Sequence, residues 1–325
     1  MSLTPISAVA PPSLPQPHDK YTSFGLFRGL IPNVSTQQWD SRWRVRYFKR
    51  KSWIFMGVQT AEYLLGFAIA DAGYIGTAFT YCYDVQNNQY WEEKITRPWA
   101  FGAKFDPNLK TSWKLANWNI EHSQGGLRFQ FLGKKIQLSI VVPELGTGVS
   151  IIAPAFPNPF HFTWKNMLLP AFVELQTPLG KHTFEGNYAA IDFSKGYPPP
   201  RTFWNWASCT GTTQFQQKIA INLVSDFNNG LENVIWFGDN LYSTGQAIFH
   251  YRKPLQKSKW HIHSLDNCVS LDFQPLEARS ESINLGLIKS QFMQPFGRFS
   301  GNIQFPNSHE FFSGFGVTEE HLAIW

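Results

Sequence analysis

Apolar and polar residues alternate at every second position in run after run of this chain, and nowhere do apolar residues recur at i, i+3, i+4, i+7 over three helical turns. Successive side chains of a β-strand point to opposite faces, so this alternation specifies half-buried strands and leaves no amphipathic helix to build with. Leu127, Phe129 and Phe131 share one face opposite Arg128 and Gln130. The pattern repeats from Ile136 to Ile140, and Val269, Leu271 and Phe273 oppose Ser270 and Asp272. Turn residues separate such runs: Gln124-Gly125-Gly126, Leu132-Gly133-Lys134, Asn228-Asn229-Gly230 and Gly238-Asp239-Asn240. Runs spaced roughly 8–14 residues apart are those of hairpin-connected sandwiches or barrels. The expected fold class is all-β.

Composition narrows the class further. Aromatic residues make up 16% of the 325 positions, with 13 Trp and 29 Phe, and charged residues only 16%, against a usual charged share of about 25%. That apolar supply excludes a disordered chain, and the lack of heptads excludes a coiled coil. Cys82, Cys209 and Cys268 are too few for a disulfide scaffold and are expected to be buried free thiols. With no CxxC pair there is no cysteine-based zinc or redox site, and no cofactor is expected. The net charge of +5 is mild. The one basic stretch, Arg42 to Lys51, reads as a half-buried strand with Arg42, Arg44 and Arg46 on its solvated face and Trp43, Val45 and Tyr47 on the other, the alternative being a patch for an anion, a membrane surface or nucleic acid. Phe129-Gln130-Phe131 lacks the surrounding pattern of a base-stacking sheet, so no nucleic-acid partner is expected.

Residues 1–20 contain five Pro and neither a basic n-region nor an apolar h-region. They read as a flexible tail and not as a signal peptide. No run of about 18 apolar residues occurs, so no integral membrane segment is expected, and a cytoplasmic location is the default expectation. The length suits two domains. An internal echo supports that number. The order strand, small polar loop, strand, tight turn, aromatic strand occurs from Gly66 to Trp91 and again from Ile219 to Tyr242. With a seam near Leu179 to Tyr188, the expected division is a tail at 1–22 and β-domains at 23–182 and 183–325.

Several blocks carry a resemblance. The C-terminal ones are Gln294-Pro295-Phe296-Gly297-Arg298-Phe299-Ser300-Gly301 and Gly316-Val317-Thr318-Glu319-Glu320-His321-Leu322-Ala323-Ile324-Trp325. Further blocks are Lys49-Arg50-Lys51-Ser52-Trp53, Ile69 to Tyr74, Asp192 to Pro198, Trp204-Asn205-Trp206-Ala207, Ile221-Asn222-Leu223 and Leu231-Glu232-Asn233. From Phe24 to Trp325 the chain resembles the DUF2804 family. Asn205 stands where some members carry Arg. The Asp192…Trp-x-Trp segment is also similar to a wider lipocalin-like group that includes carotenoid hydratases of the hydroxyneurosporene synthase type, AttH-like proteins and some fungal pericyclic cyclases. That resemblance implies two tandem lipocalin-like β-barrel or sandwich domains.

The candidate site residues follow from chemistry and parity. Asp192, in an apolar cavity, would have a raised pKa and could protonate an alkene; in a turn it would bond its own backbone. Trp204 and Trp206 share a strand face and suit either a ligand pocket or a packed core. Glu232 and Asn233 could orient a ligand hydroxyl, or bond locally with Asn222 across a hairpin. Glu320 and His321 are neighbours, so they face opposite ways. His321 could pair with Arg298, Asp192 or Glu232, and an Arg298–Glu320 ion pair closing the last two strands is the structural alternative. His261 and His263 share a face but lack a third ligand at a defined spacing, so no metal site is expected. Three function classes remain. The first is binding of a small hydrophobic molecule (lipid, isoprenoid or polyketide-like) in an aromatic-lined β-cavity, with Trp204, Trp206, Asn222, Asn233, Arg298 and Glu320 as contacts. The second is a hydratase, isomerase or cyclase acting on such a molecule, with Asp192 as proton donor and Glu232 and His321 as further catalytic candidates. The third is a structural or interaction module. The sequence leaves the oligomeric state open.

Overall fold

The computed structural model describes residues 3–17, 24–106, 112–123, 126–286 and 288–325. Strands dominate the described residues, and the described helical pieces are single turns, so the all-β expectation holds. The strands are β1 (Thr4–Pro5), β2 (Gly25–Arg28), β3 (Lys51–Gln59), β4 (Tyr63–Asp71), β5 (Ile75–Asp84), β6 (Gln89–Pro98), β7 (Lys104–Phe105), β8 (Ser112–Leu115), β9 (Trp118–Ser123), β10 (Gly126–Leu132), β11 (Gln137–Val142) and β12 (Val149–Ala155). They continue with β13 (Asn158–Thr177), β14 (Gly180–Gly196), β15 (Arg201–Thr213), β16 (Lys218–Ser225), β17 (Val234–Phe237), β18 (Asn240–Ser243), β19 (Ala247–Tyr251), β20 (Trp260–Ser264), β21 (Val269–Leu285), β22 (Ile288–Gln304) and β23 (His309–Ile324).

Two sheets result, each following the same path. One has the order β6-β5-β4-β3-β14-β13-β11-β10-β9-β8-β7, with β12 on β13 and β2 on β12. The other has the order β1-β18-β17-β16-β15-β23-β22-β21-β20-β19. In both, a meander runs outward from its first strand, and the last strand returns to pair with that first one: β14 with β3, β23 with β15. The sequence echo falls on equivalent strands, β4–β6 in one sheet and β16–β18 in the other. The chain divides into two compact units. The N-terminal unit comprises Val9–Ile152 and Asn158–Pro198; the C-terminal unit comprises residues 3–8, Ala153–Pro157 and Pro199–Trp325.

Each unit has its own core, set by strand parity. Leu127, Phe129 and Phe131 are buried with Ile136, Leu138 and Ile140 in the N-terminal unit. Val269, Leu271 and Phe273 are buried with Ile221, Leu223 and Phe312 in the C-terminal unit. Cys82, Cys209 and Cys268 are buried and form no disulfide. Where β15, β23 and β22 run closest, Gly316 lies opposite Cys209 on one side and Gly297 on the other. A Cβ on Gly316 would overlap the Ser208 carbonyl oxygen and come 2.6 Å from the Cys209 Cα, and both obstacles are backbone. Gly316→Ala is therefore expected to destabilise by about 1–3 kcal/mol or more through enforced strand separation. Urea unfolding checks this, and an unchanged midpoint would contradict the close-approach account.

Three local features differ from the sequence reading. Residues 42–49 form no strand. Val45–Lys49 is one π-helical turn, and β3 begins only at Lys51. The cause is tertiary: the Arg46 and Arg50 side chains are drawn in to Asp71, and Arg50 also reaches Asp40. The Pro-rich start is partly built in, since Thr4 and Pro5 pair with Ser243 and Tyr242 while Leu3 and Leu14 are buried. The expected seam at 182/183 falls inside the β13–β14 hairpin, which pairs from Thr177↔Gly180 to His161↔Gly196, so the units part at Pro198/Pro199. Of the turn signals, Gln124 and Gly125 lie outside the described residues, as do residues 18–23 of the expected tail and first domain.

Candidate functional site

Strand parity places the aromatic pair of β15 on the face opposite the C-terminal core. Ala207 and Cys209 turn toward that core, so Trp204 and Trp206 point the other way. In register, His321 lies opposite Trp204, Glu319 opposite Trp206, and Phe292 of β22 opposite His321. Side chains from three strands therefore meet on one face. The Trp204 indole N–H donates to Glu319 Oε1 at 2.7 Å, and Gln294 Nε2 donates to Glu319 Oε2 at 2.9 Å. The His321 ring sits 4.3 Å from the Trp204 ring and 5.2 Å from the Phe292 ring, edge-on to both. Its Nε2 is 2.8 Å from Ser290 Oγ, and its Nδ1 is 3.9 Å from Glu319 Oε1.

The electrostatics of this cluster are defined. Burial, with the Arg279 cation adding to it, pushes the His321 imidazole down to about 3, so it is neutral near pH 7. Arg279 lies 5.0 Å over the Phe292 ring and donates to Glu281 Oε2 at 2.7 Å. Glu319 and Gln294 are buried. The burial that keeps this imidazole neutral also opposes an imidazolium, so His321 stands as a neutral hydrogen-bonding group beside the Ser290 hydroxyl.

Glu319, Gln294, Ser290 and Arg279 were not singled out from the sequence. A signal for Glu319 was present: in Glu319-x-His321 the two residues are two apart and share a strand face, whereas Glu320 faces away. Glu320 is on the core side with Asn205. There the Tyr251 hydroxyl donates to Glu320 Oε2 at 2.7 Å, Lys253 Nζ lies 3.3 Å from Glu320 Oε1, and Asn205 Nδ2 donates to the Tyr251 oxygen at 3.0 Å. Burial, reinforced by the Glu320 bond, pushes the Tyr251 phenol up. The expected Arg298–Glu320 pair does not form, because the register places Arg298 opposite Phe315, where its guanidinium lies 4.6 Å from the ring in an exposed position.

The remaining candidates are spread over both units. Trp206 Nε1 donates to Asn222 Oδ1 at 2.8 Å, and Asn222 Nδ2 donates to the Glu232 carbonyl at 2.8 Å. Asn233 Oδ1 accepts from Val224 N, Asn233 Nδ2 donates to the Gly245 carbonyl, and the Glu232 carboxylate accepts from Asn228 Nδ2. These bonds tie β15, β16 and the adjoining turn together. Asp192 is in the N-terminal unit and lies mid-strand in β14, away from any turn. It accepts from Lys165 Nζ at 2.8 Å, Thr163 Oγ1 at 3.0 Å and Ser194 Oγ at 3.2 Å. His261 Nδ1 pairs with Asp272 at 2.9 Å, and the His263 ring faces that of His250 at 5.3 Å. Among the described residues no group of His, Cys, Asp or Glu is arranged to hold a metal ion.

The N-terminal unit holds a second buried polar cluster. Arg50 bridges Asp40 and Asp71 at 2.8 and 3.0 Å, and the Tyr197 hydroxyl donates to Asp40 at 2.9 Å. Lys51 Nζ donates to the Phe48 and Ala72 carbonyls and lies 4.4 Å from the Tyr74 ring centroid; Lys195 Nζ donates to the Val34 carbonyl. Burial pushes both lysines down to about 7. Every side chain in this cluster has a structural partner, which marks it as a device for locking the chain before β3 onto the sheet.

Two all-β units, each with a last strand that returns to pair with its first, define a tandem lipocalin-like protein. The sequence pattern of the family described as a domain of unknown function, DUF2804, matches residues 8–325, and the chain belongs to that family. Among solved structures, kievitone hydratase from Nectria haematococca is similar at 12% identity and a TM-score of 0.57, over 98% of this chain and 97% of that one. An AttH-like protein from Nitrosomonas europaea is similar at 12% identity and a TM-score of 0.52, over 84% of this chain and 92% of that one. No curated protein matches the sequence. Among the described residues no helix is long and apolar enough to cross a membrane.

Proposed function

We propose that the chain binds a small hydrophobic molecule, lipid-, isoprenoid- or polyketide-like, and that Trp204, His321 and Glu319 handle its polar end. The observation that carries this reading is the cluster itself. A carboxylate, an amide and a neutral imidazole are held among large aromatic rings, on the face that the apolar core does not use. Burying such groups costs stability, and groups with perturbed protonation gather where a ligand or a reaction uses them. A second reading is hydration or isomerisation of the bound molecule. It is favoured by His321 and Glu319, two titratable groups held side by side among aromatic rings, where a reacting group could meet them. The likeness in fold to a hydratase agrees with it. Asp192, the acid expected from the sequence, acts as acceptor in each of its three contacts, so His321 and Glu319 are better placed to move a proton.

Native mass spectrometry of freshly purified protein, followed by organic extraction, tests the proposal. A hydrophobic molecule near one-to-one stoichiometry is expected. Trp204→Ala and His321→Gln should each lower its retention by roughly tenfold or more, as loss of a buried anchor does. Protein free of any such molecule from several expression hosts would leave the interaction-module reading. If His321→Gln keeps the molecule but abolishes its conversion, the second reading replaces the first.

A further inference from the structure

The basic stretch of the sequence has a use that the ligand reading does not absorb. Its helical turn presents Trp43 and Phe48 at 61% and 41% exposure, and the loop after β6 presents Trp99 and Phe101 at 58% and 79%. Phe48 joins the two segments, with ring centroids 6.0 Å from Trp43 and 6.0 Å from Trp99. Trp99 and Ala100 both adopt left-handed backbone, at φ 52° and 50°, which costs non-glycine residues energy and holds the indole at a loop tip. Residues 42–49 and 96–104 contain no Asp or Glu. They contribute exposed Arg42, Arg44, Lys49, Arg97 and Lys104, and the Arg44 guanidinium lies 5.5 Å over the Trp43 ring.

We propose that Trp43, Phe48, Trp99 and Phe101, within this cationic surround, form a docking surface for anionic lipid bilayers. Clustered exposed aromatics are uncommon on a soluble surface without a partner. Tryptophan favours the headgroup boundary, where its ring is half apolar and half polar. Basic residues beside an anionic leaflet each add about fivefold to binding. Sign complementarity therefore selects an anionic surface. The ring geometry selects a bilayer over single-stranded nucleic acid. Phe48 meets Trp43 at 67° and Trp99 at 89°, an edge-packed wedge suited to insertion, whereas base stacking needs ring faces presented in succession. The surface lies wholly in the N-terminal unit and does not depend on what the Trp204 cluster binds.

The test is co-sedimentation of the full chain with phosphatidylcholine vesicles, with and without phosphatidylglycerol, beside a titration of labelled single-stranded DNA. Binding to the anionic vesicles is expected to be at least about tenfold tighter than to the neutral ones and to weaken with added salt. Trp43→Ser/Trp99→Ser should lower it by about tenfold or more. Arg42→Glu/Arg44→Glu, at exposed positions and with thermal unfolding unchanged, should do the same. Equal binding to both vesicle types, or variants that bind like the parent chain, would overturn the proposal. So would a preference for DNA over vesicles.

Discussion

Asp71→Ala is expected to cost about 3–5 kcal/mol and to lower the melting temperature by roughly 10 °C or more. Asp71 is 1% exposed at the end of β4, and both its oxygens are used. Oδ2 accepts from Arg46 at 2.9 Å and from Arg50 at 3.0 Å, while Oδ1 accepts from the Gly73 amide at 2.8 Å. A buried ion pair adds little net stability when whole, but removing one partner leaves the other charge in low dielectric without compensation. Here the cluster is already rich in cations, with Arg46, Arg50, Lys51 and Lys195 set against Asp40 and Asp71. Without Asp71, Lys51 also loses the one nearby charge that raises its pKa. Asp71→Asn keeps an acceptor for the Gly73 amide and should fall between the alanine variant and the parent. Calorimetry with urea titration checks both. A loss below about 1 kcal/mol for alanine would mean that water, not Asp71, compensates these cations.

This cluster also shows what the sequence could and could not reveal. Lys49-Arg50-Lys51, Ile69 to Tyr74 and Lys195-Gly196-Tyr197 were separate family-like blocks, and nothing in their order said that they meet. The register brings Lys51 opposite Gly196 and Ser52 opposite Asp71, so the blocks converge at one end of one sheet. Periodicity succeeded where a strand has one apolar and one polar face, as in β10, β11 and β21. It failed at residues 42–49, where alternation of Arg with aromatics imitates a strand, but long-range pairing with Asp40 and Asp71 winds the chain instead. The expected seam near Leu179 to Tyr188 differs for a related reason: that segment begins at the turn of the long β13–β14 hairpin, which pairs from Thr177↔Gly180 to His161↔Gly196. At the candidate site, Trp204 and His321 were legible as residues, but their meeting depends on the β15–β23 register. Glu319 was legible in principle from its two-residue spacing to His321.

Acid should destabilise the protein well before its carboxylates are protonated, and two histidines are the reason. Burial pushes His161 and His321 down to about 3, with Lys165 adding to the effect at His161 and Arg279 at His321. The unfolded chain takes up these protons near pH 6.5, while the folded chain refuses them until about pH 3. The unfolded state therefore binds more protons between those limits, so stability is full above 6.5 and falls as pH drops through the window. From pH 7.5 to 4.5 the loss is about 3 kcal/mol for each histidine. Lys51 and Lys195 act in a separate window. Their folded values near 7 lie below the unfolded 10.5, so stability should rise as pH increases from about 7 toward 10. Urea midpoints at pH 4.5, 7.5 and 9.5 read both windows. His321→Gln should remove about half of the acid loss and leave the alkaline rise intact, because Lys51 and Lys195 belong to the other unit. An acid loss as steep in His321→Gln as in the parent would show that the folded chain takes up this proton as readily as the unfolded one, so that burial does not hold the imidazole neutral.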